Sequence, residues 1–191
     1  MKKTFFLSLL MALSLKVVAE SIDTTPERGE LGSQVKVVMY GDYQCPFSAR
    51  GNKTINEMSA DIRNDFSFSM RHFPLEFHEY ARYAHKGSIC AKEQGKFWEM
   101  HDALFSIKYG SFNPKTIDGL VTKLDLNLPA FKKCMTSKEA EAILNRDMEE
   151  AKKLKISATP TFVIIGPKGQ KILAGAYPAE EFKKAMKEVL D

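Results

Sequence analysis

Cysteine is scarce in this chain, with three among 191 residues, at positions 45, 90 and 134. An odd count excludes a fully paired disulfide scaffold, so at most one pair closes within the chain and one thiol is left over. The four histidines, His72, His78, His85 and His101, lack the acidic or sulfur ligand that would complete a familiar metal spacing. No metal centre is expected, and they read as helix surface. No internal repeat and no low-complexity tract occurs, which argues against solenoid and disordered classes. A strong charge of one sign is missing too: the formal net charge is +4, and Lys2, Lys3 and Lys16 of that balance sit in the first nineteen residues. Without them the chain is close to neutral, and nucleic acid is not an expected partner.

Those first residues have a basic start, an apolar core over Phe5–Leu15 and small residues at Val17-Val18-Ala19. The pattern predicts a secretory signal peptide over residues 1–19, cleaved after Ala19 and too short to span a membrane. Lys16 leaves an uncleaved anchor as the alternative. No Cys lies near the cleavage point, so a lipoprotein anchor is not indicated. What remains is long enough for one domain with a real core.

Val35–Tyr40 is short, apolar and rich in β-branched residues, and predicts a buried strand. Ile55, Met58 and Ile62 then recur at helical spacing, so a helix runs to about Asn64, with Pro46 suited to its first turn. Cys45 therefore sits where a strand hands over to a helix N-terminus. Free N–H groups and the positive end of the dipole favour a thiolate there, making Cys45 a candidate nucleophile. The alternative is an inert cysteine that ends a strand. Ser48 occupies the second position of what would be Cys-x-x-Cys. Its hydroxyl can support a thiolate but cannot resolve a mixed disulfide. Asp42 either tunes this thiol or orients substrate, or is an ordinary loop residue.

Further along, Glu20–Gln34 reads as an extended entry segment. Phe66–Phe73 alternates apolar and polar residues, predicting a half-buried strand that completes a right-handed, parallel βαβ unit. Helices are expected over Tyr80–Gln94, Lys96–Lys108, Asn113–Leu124, Leu128–Met135 and Ser137–Leu154. Phe97, Trp98, Leu104 and Phe105 read as core, and Lys152–Lys155 and Lys183–Lys187 as solvated helix faces. After the break at Ser157–Pro160, Thr161–Ile165 and Gln170–Leu173 form a hairpin, and Ala179–Leu190 closes the chain as a helix. This order makes an α/β protein with a thioredoxin-type sheet. Residues 20–75 and 157–191 supply its two halves, and residues 76–156 form a helical insertion.

Four stretches carry a family resemblance: Gly41–Arg50 around Cys45, Cys90–Trp98, Phe131–Met135 and Ala158–Phe162. Together, and in this order, they resemble the DsbA-like thiol–disulfide oxidoreductases, closest to the branch with a second, structural cysteine pair. The resemblance implies a thioredoxin fold with an inserted α-helical domain, a periplasmic location and activity on protein thiols and disulfides of exported proteins. It implies a Cys90–Cys134 disulfide and a cis Thr159-Pro160 bond beside Cys45. Thr159 and Pro160 would present their backbone to an extended substrate. Tyr43 and Phe47 flank the cysteine and, by that position, are candidates for an apolar rim for unfolded substrates, with core packing an equal alternative for Phe47. Ser48 departs from the family pattern, as does Ala158 where glycine is common. With one sulfur, what survives is reduction, isomerisation or mixed-disulfide chemistry, with no bound cofactor and glutathione or a redox partner as co-substrate. Two other readings stand beside this one: a binding or chaperone module that kept the fold and lost turnover, and a dithiol oxidase in which serine was introduced to trap complexes.

Overall fold

The computed structural model describes residues 26–60 and 65–191; the expected leader, Ile62 and the expected helix end at Asn64 lie outside them. Among the described residues one mixed sheet carries strands β1 (Glu27–Gly29), β2 (Lys36–Gly41), β3 (Ser67–His72), β4 (Thr161–Gly166) and β5 (Gly169–Ala174). Their spatial order is β1-β3-β2-β4-β5. Strands β2 and β3 run parallel with Lys36 opposite Ser67, and the other pairings are antiparallel. This is a thioredoxin-like sheet. Strand β1, three residues with a charge pair and a glycine, falls inside the stretch expected to be merely extended; it pairs Glu27 with Ser69.

Helix α1 (Pro46–Ala60) follows β2, and α7 (Ala179–Leu190) ends the chain. Both lie on one face of the sheet, where Val37, Met39, Phe68, Phe162 and Ile164 meet Ile55, Met58, Phe182 and Val189. Between β3 and β4 come α2 (Ala81–Lys92), α3 (Phe97–Phe105), α4 (Pro114–Lys123), α5 (Leu128–Met135) and α6 (Lys138–Lys153). Three of these starts are capped by side chains. Asn113, Asn127 and Ser137 each accept a backbone N–H three residues on. In α6, Glu139 and Glu141 stand in the first turn and Lys152 and Lys153 in the last, complementing the helix dipole at both ends. The block has its own core, with Met100, Leu104, Ile117, Val121, Phe131 and Leu144 all buried. A disulfide joins Cys90 on α2 to Cys134 on α5.

Strand β3 is not half-buried: all six of its residues are buried. The Arg71 side chain and the His72 backbone find partners on α6. Arg71 Nε donates to Glu150 Oε2 at 3.3 Å, Tyr40 Oη donates to Glu150 Oε1 at 2.6 Å, and the His72 N–H donates to Asp147 Oδ2 at 3.0 Å. A polar residue can be buried at little cost once it is hydrogen-bonded, so alternation in sequence does not guarantee a wet face.

The histidines also depart from expectation. Rather than lying on helix surfaces, His72, His78, His85 and His101 are all buried. His72 and His85 share a hydrogen bond between their Nδ1 atoms at 2.9 Å, so one ring donates and the other accepts. His101 lies between Tyr43 Oη, at 3.2 Å from Nδ1, and Asn52 Oδ1, at 3.0 Å from Nε2. Burial pushes the His85 and His101 rings well below the usual imidazole value, and lowers His72 to about 4.

Candidate active site

The turn between β2 and α1 is built around the buried side chain of Asp42. Its Oδ1 accepts the Gln44 N–H at 2.7 Å, an Asx-type turn that the spacing of Asp and a residue two further on allows. Its Oδ2 accepts the Leu75 N–H at 2.8 Å and meets His78 Nδ1 at 2.7 Å. The backbone joins in, with the Cys45 N–H donating to Asp42 O at 3.1 Å and the Phe73 N–H to Gly41 O at 3.0 Å. Gln44 Oε1 accepts the Tyr80 N–H at 2.9 Å. One carboxylate and one carboxamide therefore hold the 73–80 loop against the start of α1.

Cys45, the residue before α1, is the free cysteine among the described residues and is 4% exposed. Its Sγ donates to Thr159 O at 3.6 Å. The Thr159-Pro160 peptide bond is cis. Close approach of α1 to this segment depends on Gly51, where an added Cβ would stand 2.9 Å from Phe162 Cζ and 3.1 Å from Pro160 Cγ. Pro160 is thus packed against α1, and it is the residue before it, Thr159, that borders the open space.

That space is a pocket of about 360 Å³ lined by Cys45, Pro46, Phe47, Leu75, Phe77, His78, Ser157, Ala158 and Thr159. Phe47 (54% exposed) and Phe77 (77%) stand on its rim. Arg50 places its guanidinium 5.2 Å from the Phe47 ring. A second pocket of about 600 Å³ adjoins it, sharing Leu75 and Ser157 as walls and continuing past Phe73, Met148, Lys152 and Ile156.

Two expected roles do not survive the geometry. Tyr43 is not part of the rim: it is 1% exposed, turned into the helical block against His85 at 4.6 Å and Phe105 at 4.9 Å. An amphipathic ring whose hydroxyl finds His101 is better placed inside. Ser48 is fully buried, and its Oγ accepts the Asp42 N–H at 3.2 Å. It makes no hydrogen bond to Cys45, so its hydroxyl fastens the turn rather than the sulfur. Cys90 and Cys134 are bonded to each other and line neither pocket. Among the described residues no group of three or more His, Cys, Asp or Glu side chains could hold a metal ion.

A sequence model of the DSBA-like thioredoxin domain matches residues 36–187. The chain belongs to that family. Members of the DSBA-like thioredoxins are thiol–disulfide oxidoreductases. The chain is similar in structure to the catalytic domain of Proteus mirabilis ScsC, with a TM-score of 0.77, 19% identity, and coverage of 92% of this chain and 96% of that one. It is also similar to the thiol-disulfide exchange protein alpha-DsbA2 of Wolbachia pipientis, with a TM-score of 0.76, 20% identity, and coverage of 93% and 96%. At these identities both show the fold. In sequence it is 30% identical over 182 residues to a Salinispora arenicola protein named Na(+)/H(+) antiporter NhaA 1, covering 93% of this chain and 27% of that protein. The chain thus spans about a quarter of the length of that curated relative, and antiport belongs to the name of the longer protein. No helix among the described residues of this DSBA-like chain is long and apolar enough to cross a membrane.

Sequence reasoning placed Cys45, Phe47 and the Thr159-Pro160 segment around one point. It missed Leu75, Phe77 and His78, whose signal was only their position after β3 and before α2, and Ser157, which lies between α6 and β4. The Asp42–His78 contact joins residues 36 positions apart and left no local trace.

Proposed function

We propose that this DSBA-like protein is an exported thiol–disulfide oxidoreductase working through one nucleophilic sulfur, Cys45. Its substrates are disulfides and oxidised cysteines of exported proteins in the periplasm, which it reduces, isomerises or holds as mixed disulfides. The observation that carries this reading is the placement of Cys45 Sγ, 3.6 Å from Thr159 O at the inner end of an apolar pocket with Phe47 and Phe77 on its rim. An extended segment passing Thr159 would lie against its backbone and bring a sulfur to Cys45.

Attack by the Cys45 thiolate on a substrate disulfide forms a Cys45–substrate disulfide and releases the second substrate sulfur as a thiol. With serine at position 48, no sulfur three residues on can displace the substrate. Release falls to a second substrate cysteine, a redox partner or a small thiol such as glutathione, which acts as co-substrate rather than bound cofactor. Oxidation of substrates through a Cys45–Ser48 disulfide is chemically excluded. The proposed role of Ser48 is to hold the turn that presents Cys45.

The test is recovery of adducts. Wild-type protein expressed with its leader and separated without reductant should carry mixed disulfides that reductant removes and that Cys45→Ala lacks. Ser48→Cys should shorten their lifetime by supplying the missing sulfur. Absence of adducts above the Cys45→Ala background, with slow iodoacetamide labelling of the folded protein, would instead identify a binding module that does not turn over.

A further inference from the structure

The Asp42–His78 pair has no part in the chemistry above, yet His78 lines the same pocket as Cys45. We propose that His78 is a catalytic residue that carries the proton to and from the sulfur on the substrate side, with Asp42 as its positioning residue. The proposal rests on the thiol-exchange reading of the site and deepens it.

An aspartate carboxylate only accepts, and Asp42 Oδ2 already takes the Leu75 N–H. At 2.7 Å the remaining contact requires His78 Nδ1 to donate, which fixes the tautomer and leaves Nε2 for other work. Nε2 has no hydrogen-bond partner among the described residues and keeps open surface. The ring is set in place by the 73–80 loop, itself fastened at Leu75 and Tyr80. A nucleophilic sulfur and an imidazole bordering one small cavity, with the imidazole oriented by a buried carboxylate, form the arrangement that acid–base catalysis of covalent exchange requires.

The cycle closes without a second cysteine. It begins with the Cys45 proton passed to His78 Nε2, so that the ring holds a proton on each nitrogen and the sulfur is a thiolate. That thiolate attacks one sulfur of a substrate disulfide; the Cys45–substrate bond forms and the substrate S–S bond breaks. The departing sulfur takes its proton from His78 Nε2 and leaves as a thiol. An incoming small thiol then gives its proton to the same Nε2 and attacks the substrate sulfur of the mixed disulfide. A new disulfide forms between substrate and small thiol, and Cys45 leaves as thiolate. One proton and one electron pair have been exchanged, and His78 is restored. In a dithiol protein the attacking sulfur of the second step is internal; here it comes from solution, and the imidazole prepares it.

Leaving-group dependence separates this role from a structural one. Reduced protein is mixed with an aryl disulfide, 5,5′-dithiobis(2-nitrobenzoate), whose leaving thiolate needs no proton, and with glutathione disulfide, whose leaving sulfur does. His78→Gln should slow the glutathione reaction by about 100-fold, the lower end for positioned acid–base groups, and the aryl reaction by less than about threefold. Asp42→Asn should give the same split, and added imidazole should restore part of the glutathione rate in His78→Gly. Equal slowing of both reactions, or of neither, or no rescue by imidazole, overturns the role of His78. Wild-type protein that reacts with neither disulfide overturns the thiol-exchange reading itself.

Discussion

Acid should weaken the attachment of the helical block to the sheet, and His72 lets the effect be sized. Its ring is buried between β3 and α2, with Phe97 at 6.3 Å and His85 bonded to it. Burial lowers its folded value to about 4 from the ordinary 6.5; Asp147 opposes the shift and Arg71, Arg146 and Lys92 add to it. The folded state therefore refuses a proton that the unfolded chain accepts. Stability from this group is complete above pH 6.5 and is lost as pH falls toward 4. The full loss is about 3 kcal/mol, of which about 2 kcal/mol falls between pH 7 and 5. His85 and His101 shift in the same direction, so they steepen the fall. Trp98, the single tryptophan, rests under the Arg28 guanidinium at 4.3 Å and beside Phe68, and reports unfolding in urea. Unfolding free energies measured from pH 7 to 5 should drop steadily. His72→Gln, less stable at pH 7 but unable to titrate, should show a slope shallower by about 1 kcal/mol per pH unit. A flat wild-type profile, or one slope shared by both proteins, refutes the reasoning.

Three more outcomes are expected. Replacing Cys90 and Cys134 together by alanine frees a closed segment with a sequence separation of 44 and should cost about 2–4 kcal/mol in urea unfolding. The rate of Cys45 with an aryl disulfide should stay as in wild type; a rate that falls with stability would tie the disulfide to the site. Glu150→Ala removes the carboxylate that both Tyr40 and Arg71 bond and should cost about 3–5 kcal/mol; a loss under about 1 kcal/mol would show that the interior rearranges around Arg71. Gly51→Ala gains about 1 kcal/mol in helix propensity but meets Phe162 and the Pro160 ring inside 3.2 Å. Overpacking of about 1–3 kcal/mol should outweigh that gain and slow Cys45 by moving α1 from Thr159; a more stable protein would show that the contact yields.

The frame of the molecule was legible because its signals are local. A β-branched run, a proline at a helix start and helical spacing of apolar residues are each read within a dozen positions. Strand β1 escaped because three residues with a glycine carry no period. The burial of β3 escaped because the partners of the Arg71 side chain and the His72 N–H lie on α6, more than seventy residues away. The site divides in the same way. Cys45 announces itself by its neighbours, whereas His78 becomes interesting only once Asp42 is seen beside it. Tyr43 went the other way: adjacency to the cysteine suggested the surface, and the helical block claimed it for the interior.

Leu75 and Ser157 wall two basins at once, the small one at the sulfur and the larger one beyond it. On the proposed chemistry, a client long enough to lie along both would be gripped well away from the bond that reacts, while a tripeptide thiol would touch only the near end. Turnover should accordingly be paced by departure for polypeptides and by arrival for small molecules, so the same cysteine would be saturable toward one and unsaturable toward the other.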